Sequence, residues 1–145
     1  MEKQINLLNR YVSNIAVLNI KLHNLHWNVI GQNFEQAHLY LERLYDDLFI
    51  KLDEVAERIK MLGFLPNANL ASFLKDTTVT ELESNEITVK RAIEIAHEEY
   101  LNLSSLAKEI RSISLEQDDF VTQAMLEAHI ASYNKEVWFM TSELK

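Results

Sequence analysis

Residues 34–62 read FEQAHLYLERLYDDLFIKLDEVAERIKML, and an apolar or aromatic side chain or a histidine returns every three or four positions along them. The positions of this seam are Phe34, His38, Leu41, Tyr45, Leu48, Leu52, Val55, Ile59 and Leu62. Alternating steps of four and three place all of them on one face of an α-helix. Gly63 follows directly and is typical of the residue just past a helix end. The stretch therefore predicts a long helix that packs in a bundle.

Three further segments, near 3–30, 85–113 and 116–143, carry the same periodicity, with breaks expected at residues 31–33, 63–67, 77–85 and 112–114. The chain has only two Gly and one Pro, too few turn formers for an all-β protein of 145 residues. Residues 67–76 are expected to form a short extra helix in the crossover between helices 2 and 3. We predict an all-α four-helix bundle, as a single domain over residues 1–145. The last helix is less regular, and its expected buried face is Val121, Met125, Ala128 and Ser132, followed by the cluster Val137–Met140.

The composition excludes several classes of protein. Without cysteine there can be no disulfides, zinc–thiolate sites or iron–sulfur clusters. No apolar run approaches the length of a membrane span, and the first residues lack the pattern of a signal peptide, so a cytoplasmic protein is expected. The net charge of −8 argues against a large nucleic-acid interface and suits a protein that attracts cations.

Two of the five histidines, His26 and His38, fall on seam positions of the first two helices, beside the turn that joins them. A lone histidine on such a face is more often a core residue than a ligand. Two of them beside one turn supply the imidazoles that a metal needs.

The second helix also carries Asp53 and Glu57, four residues apart and thus on one face. That face is not the bundle seam, and it includes Leu39 and Ile50. A mixture of apolar residues and carboxylates on an outward face indicates a partner chain. Two further acidic residues of the helix, Asp47 and Glu54, are interpreted as a solvated face.

Helix geometry limits how these groups can meet. His38 and Asp53 are 15 residues apart, which is about 22 Å along a helix. They cannot bind one ion within one chain, but an antiparallel copy of the second helix would bring them together, with the two-fold axis near residue 46 or 47. We therefore predict a symmetric dimer with two metal sites, each taking histidines from one chain and carboxylates from the other. Nitrogen and carboxylate ligands suit Fe(II), although Zn and Mn accept the same ligands.

The residues now resemble a known family. His26-Trp27, the turn with Gly31 and Phe34, His38 twelve residues after the first ligand, and the run Asp53-Glu54-Val55-Ala56-Glu57-Arg58 are similar to the motifs of the Dps family of mini-ferritins. The motif covers about 35 residues, and the helical layout extends the similarity over nearly the whole chain.

The resemblance implies a ferritin-like fold and a hollow shell of twelve subunits, built from two-fold dimers with a ferroxidase site at each interface. The implied ligands are His26, His38, Asp53 and Glu57, with Glu42 as a second-rank ligand or nucleation carboxylate. Trp27 is implied to intercept oxidising equivalents beside the site, although simple packing explains its presence equally well.

The implied reaction is the oxidation of Fe(II), preferably by hydrogen peroxide and otherwise by oxygen, followed by storage of ferric mineral in the shell as protection against oxidative damage. The resemblance places a pore near the start of the last helix, where Asp119 and Glu127 are candidates. For Asp119 an equally good interpretation is structural, because the helix dipole favours an acidic residue at the start of a helix.

The chain departs from the family's DNA-binding members, since only Lys3 and Arg10 are basic in the first 12 residues. We therefore expect no direct DNA binding. Two alternatives to the ferroxidase remain at this point. One is a non-catalytic helical interaction protein whose histidines fill the core, and the other is a nucleoid DNA-binding protein.

Overall fold

The computed structural model describes all 145 residues. Its elements, in chain order, are α1 (Glu2–Asn28), β1 (Val29–Ile30), α2 (Phe34–Met61), α3 (Leu70–Asp76), β2 (Ile87–Thr88), α4 (Val89–Glu116) and α5 (Phe120–Glu143). The four long helices form the predicted bundle, and α3 is the predicted short helix of the crossover. None of the helices is both long and apolar enough to cross a membrane.

The helices pack as two pairs, α1 with α2 and α4 with α5, and the pairs meet through α1 and α4. The core between them is aliphatic with three fully buried tyrosines, Tyr11, Tyr100 and Tyr133. Burial of this apolar surface is the main favourable contribution to folding.

Two glycines act where the sequence places them, and both have positive φ. Gly63 (φ 89°) follows α2, where its N–H donates to the carbonyl of Lys60 and the N–H of Phe64 donates to that of Ile59. These two bonds satisfy carbonyls left open at the helix end, in the Schellman arrangement. Gly31 (φ 106°) lies in the α1–α2 turn.

The long crossover is tied to the bundle at several points. β1 and β2 form a two-residue parallel pair, Val29 with Ile87 and Ile30 with Thr88. This pairing fixes the α1–α2 turn to the start of α4. Lys21, buried on α1, donates to the carbonyl of Thr80 at 2.6 Å.

The expected break at residues 112–114 is wrong. The helix α4 continues through Ser112 and ends at Glu116, and the chain turns at Asp118, which has positive φ. Ser114 is tolerated inside the helix because its hydroxyl donates to the carbonyl of Ile110 and is buried against Gln4.

The expected buried face of α5 is also wrong in part. Val121 is 48% exposed and Ala128 is exposed, whereas the buried positions are Thr122, Leu126, His129, Tyr133, Glu136 and Met140. These six positions have helical spacing, but half of them carry polar side chains. A prediction that relies on the spacing of apolar residues therefore chooses the neighbouring face of the helix.

Candidate metal centre

The structure brings His26 and His38 into direct contact. Their rings stack with centroids 3.6 Å apart and planes 14° from parallel. Each Nδ1 lies 2.7 Å from the backbone carbonyl oxygen of the other histidine. Since a carbonyl only accepts hydrogen bonds, each Nδ1 carries the proton and each Nε2 keeps a free lone pair. Metal-binding histidines are typically oriented by such a bond on the second nitrogen.

The turn between α1 and α2 holds this pair in place. Gly31 and Asn33 both have positive φ, and no atom lies within 4 Å of a Cβ added at Gly31. Glycine is therefore needed there for its backbone conformation and not for space. The Phe34 ring stacks on His38, with centroids 5.2 Å apart.

Asp53 and Glu57 are exposed on α2, as the sequence predicts. Asp53 lies about 22 Å along the helix from His38 of the same chain. No set of three or more His, Asp or Glu side chains in one chain lies close enough together to hold a metal ion. The chain thus presents two partial donor sets, one of imidazoles and one of carboxylates. Between them α2 exposes Leu39 (52%) and Ile50 (61%).

A second layer of aromatic groups surrounds the histidine pair. His23 stacks on Tyr45 at 3.6 Å and lies 5.4 Å from Trp27, which is 66% exposed. The Tyr45 ring meets His26 edge-on at 5.2 Å, and its hydroxyl donates to Glu42 at 3.4 Å. Burial, followed by the charge of Glu42, raises the pKa of Tyr45. Glu42 and Trp27 therefore both lie within this aromatic layer.

Asp119 is the N-cap of α5, which is the structural interpretation that the sequence left open. Its carboxylate accepts from the Thr122 hydroxyl at 2.6 Å, from the Thr122 N–H at 3.1 Å, and from Gln4 and Arg58 at 2.7 Å each. Burial acts to raise the pKa of Asp119, but these hydrogen bonds outweigh it and hold the pKa below its usual value. Both oxygens are engaged, so any contact with an ion would require Asp119 to leave its partners.

Glu127 is exposed on α5. It accepts from Gln123 at 3.0 Å and pairs with Arg111 at 2.8 Å. The hydrogen bond from Gln123, then that from Arg111, lowers the pKa of Glu127. Unlike Asp119, it faces solvent and is ionised without being buried.

Sequence analysis missed a line of polar contacts that joins α2 to α5, which we call the α2–α5 polar seam. It consists of the contacts Arg43–Glu136, Lys51–Ser132, Glu54–His129 and Arg58–Asp119. Asp47 and Glu54 are 42% and 49% exposed, which agrees with the expected solvated face, but each also makes a contact that the sequence does not predict. Asp47 pairs with the buried Lys51, and Glu54 accepts from the buried His129. The helical spacing of Leu126, His129 and Tyr133 on α5 was the feature of the sequence that could have placed His129 on the buried face.

Comparisons with known proteins agree with this architecture. Residues 5–145 match the family model described as a ferritin-like domain. A DNA protection during starvation protein of Brevibacillus brevis is 36% identical over 139 residues, which cover 96% of this chain and 93% of that protein. The crystal structure of a Dps protein from Bacillus brevis superposes with a TM-score of 0.95 at 35% identity, covering 99% of this chain and 96% of that one.

A Dps protein from Vibrio cholerae, described as a member of a broad superfamily of ferritin-like diiron-carboxylate proteins, also has a TM-score of 0.95. It is 28% identical, and the match covers 99% of this chain and 90% of that one. The family motifs read from residues 26–58 are thus matched by similarity along the whole length. The chain belongs to the Dps family of ferritin-like proteins.

Proposed function

We propose that this chain oxidises Fe(II) at sites formed between two copies of itself and stores the ferric product. The observation that carries the proposal is the His26–His38 pair, with both Nδ1 atoms occupied and both Nε2 atoms available. The description of the Vibrio cholerae relative as a ferritin-like diiron-carboxylate protein supports iron as the substrate.

A second copy supplies the carboxylates in this proposal. With the α2 helices antiparallel, Asp53 and Glu57 of one chain approach the histidine pair of the other. The exposed Leu39, Phe49 and Ile50 on α2 support such a contact, because an apolar face of this kind is normally covered. A symmetric dimer then has two identical sites.

The proposed reaction takes one electron from each of two ferrous ions. Hydrogen peroxide accepts both electrons, its O–O bond breaks, and two hydroxide ions form, so no hydroxyl radical is released. Neutral imidazoles and ionised carboxylates are the protonation states that bind Fe(II), and both are the ordinary states near pH 7. Oxygen is the alternative oxidant. Glu42 is a second-rank ligand in this scheme, and Trp27 shields the site from stray oxidising equivalents.

Storage requires a closed shell, which we propose to be a dodecamer built from two-fold dimers. The net charge of −8 per chain favours the accumulation of Fe(II) in such a shell. Of the two pore candidates, Glu127 is exposed and keeps one carboxylate oxygen outside its contacts with Gln123 and Arg111, whereas both oxygens of Asp119 are held in its cap. A reducing cytoplasm is the setting in which ferrous iron persists, and we place the activity there.

The test is the rate of ferrous oxidation by peroxide in the purified protein. We expect the double variant His26→Ala/His38→Ala to oxidise Fe(II) no faster than buffer. His97→Ala is the matched control, since His97 lies on α4 and its ring bonds to Thr141 at 2.9 Å. An unchanged rate in the double variant would exclude the ligand set.

Two further measurements test the assembly and its partners. Sedimentation should give a particle of about twelve times 16.9 kDa, and a stable dimer alone would contradict the shell. A gel shift at physiological salt should show no DNA complex, because the chain is acidic and Arg10 is already paired with Asp76.

A further inference from the structure

A chain of hydrogen bonds runs from the bundle core to the surface between α1, α2 and α5. The hydroxyls of Tyr133 and Tyr11 are hydrogen-bonded to each other, and the Tyr11 hydroxyl lies 3.1 Å from His129 Nδ1. The other ring nitrogen of His129 lies 3.1 Å from Glu54 Oε2. Both tyrosines are fully buried, His129 is 3% exposed, and the side chain of Glu54 is half exposed.

The chemistry of the four groups fixes the direction of every proton. The Glu54 carboxylate can only accept, so His129 carries its proton on Nε2 and accepts at Nδ1. Tyr11 therefore donates to His129, and Tyr133 donates to Tyr11. Burial is the largest effect on the pKa of His129 and lowers it, so the ring is neutral at pH 7 and ready to take a proton. This is the logic of a hydroxyl, a base and an orienting carboxylate.

Tyr100 provides a contrast within the same core. It is fully buried, and its ring packs edge-on against Tyr133 at 5.6 Å. Its hydroxyl has no hydrogen-bond partner. A phenol that loses an electron becomes a strong acid, so its oxidation is favourable only where a base can take the proton. Tyr11 has such a base and Tyr100 has none.

We propose that Tyr11 is a redox-active tyrosine that gives up one electron to a strong oxidant while its proton moves to His129. The inference rests on the proposed function only for the source of the oxidant, a hydroxyl radical formed when Fe(II) meets peroxide away from the proposed site. The radical takes the electron and becomes hydroxide, Tyr11 becomes a neutral phenoxyl radical, and His129 becomes an imidazolium. A ferrous ion then returns the electron and becomes ferric, and His129 returns the proton.

The outer end of this relay lies close in sequence to the carboxylates of the proposed iron site. Glu54 follows Asp53 directly and precedes Glu57 by three residues, less than one helical turn. The α2 segment 53–57 therefore presents two carboxylates for iron and one that orients the base of the relay. A relay placed there protects the protein from radicals that form when ferrous iron meets peroxide before it is bound at the proposed site.

The experiment separates this relay from iron chemistry by using two oxidants. Metal-free protein is oxidised photochemically with flash-quenched ruthenium tris(bipyridine) and persulfate, and a second sample receives Fe(II) and hydrogen peroxide. Both are frozen and examined by electron paramagnetic resonance, with ring-deuterated tyrosine to assign the signal. The variants are Tyr11→Phe, His129→Gln, whose amide accepts a hydrogen bond but not a proton, and the matched control Tyr100→Phe. Circular dichroism identifies any variant that has failed to fold.

We expect a tyrosyl signal in the wild type with both oxidants, its loss in Tyr11→Phe and in folded His129→Gln, and its retention in Tyr100→Phe. A signal with the ruthenium oxidant alone still supports the relay, and it agrees with an iron reaction that releases no hydroxyl radical; the iron reaction itself is tested separately by the oxidation rate of His26→Ala/His38→Ala. The relay is overturned if no signal forms with the ruthenium oxidant, if the signal survives Tyr11→Phe, or if Tyr100→Phe removes it equally.

Discussion

The N-cap of α5 gives a quantitative test of how Asp119 acts. Replacing Asp119 by Ala removes the cap of the Thr122 N–H, which contributes about 1 kcal/mol. It also removes a charged hydrogen bond to Arg58, which contributes about 1.5–3 kcal/mol. Little discount for solvent screening applies, because the two side chains are 9% and 15% exposed. We expect Asp119→Ala to lower the free energy of unfolding by about 3 kcal/mol.

Asp119→Asn separates the two contributions. Asparagine is as good an N-cap as aspartate, so the cap bond from the Thr122 N–H is kept. The charge opposite Arg58 is lost, and the oxygen that accepts from Gln4 and from the Thr122 hydroxyl becomes an amide nitrogen, which donates. The expected loss is about 2 kcal/mol, with about 1 kcal/mol between the two variants. Arg58 keeps its second bond, from Nε to the Thr122 hydroxyl at 2.8 Å, which limits the damage.

The assay is guanidinium unfolding followed by circular dichroism, with every variant at one protein concentration because assembly adds to apparent stability. Glu127→Ala is the control, and its exposed pair with Arg111 should leave the midpoint unchanged. If Asp119→Ala unfolds within about 0.5 kcal/mol of the wild type, the capping argument is wrong. If Asp119→Asn slows iron uptake at full stability, the residue belongs to a pore instead.

The pH dependence of the same residue has a defined sign. The folded-state pKa of Asp119 is lowered, so its contribution is fully present above the ordinary value of 3.8 and is lost as the pH falls through the lower folded value. The stability difference between wild type and Asp119→Asn should therefore shrink below about pH 3.8 and stay constant between pH 5 and 7. A difference that grows in acid would contradict the assignment.

The remaining predictions concern the turn glycines and the far end of the polar seam. Gly31→Ala and Gly63→Ala should each destabilise the protein by about 1 kcal/mol, because both residues have positive φ, but only Gly31→Ala should slow ferrous oxidation. Equal oxidation rates in the two variants would contradict the inference that the Gly31 turn holds the histidine pair in place. Glu136→Ala should cost about 2–3 kcal/mol in urea unfolding, since it leaves the Tyr40 hydroxyl without its 2.7 Å acceptor. An unchanged midpoint would show that water replaces the carboxylate.

The sequence predicts the helix ends well where the residue that ends the helix is a glycine with positive φ. Gly31 and Gly63 mark two helix ends because their φ values suit glycine. Ser114 resembles a breaker, but its hydroxyl bonds back to the preceding turn and the helix continues. The helix continues partly because Ser114 is buried against Gln4 of α1, a contact that the sequence around Ser114 does not reveal.

The sequence predicts where the site residues lie along the helices but not how their side chains are oriented. Spacing alone places His26 and His38 at one turn, and helix rise alone separates them from Asp53. The reciprocal bonds that occupy both Nδ1 atoms and leave both Nε2 atoms available depend on the turn backbone and cannot be read from the pattern. His129 could not be predicted for another reason: the core positions were identified by apolar residues, and His129 is a polar residue in the core.

Three faces of α2 explain why one helix carries both the bundle core and most of the chemistry. Leu48 and Val55 face α1 and are fully buried, Lys51 and Glu54 face α5 through polar contacts, and Asp53 lies on the exposed third face. A wholly apolar α2–α5 contact would leave no route for protons out of the core. The polar contacts hold α5 against α2 and also connect Tyr11 to a partly exposed carboxylate. The same segment that presents carboxylates to a second chain therefore also carries the outer end of the relay that we propose for the core.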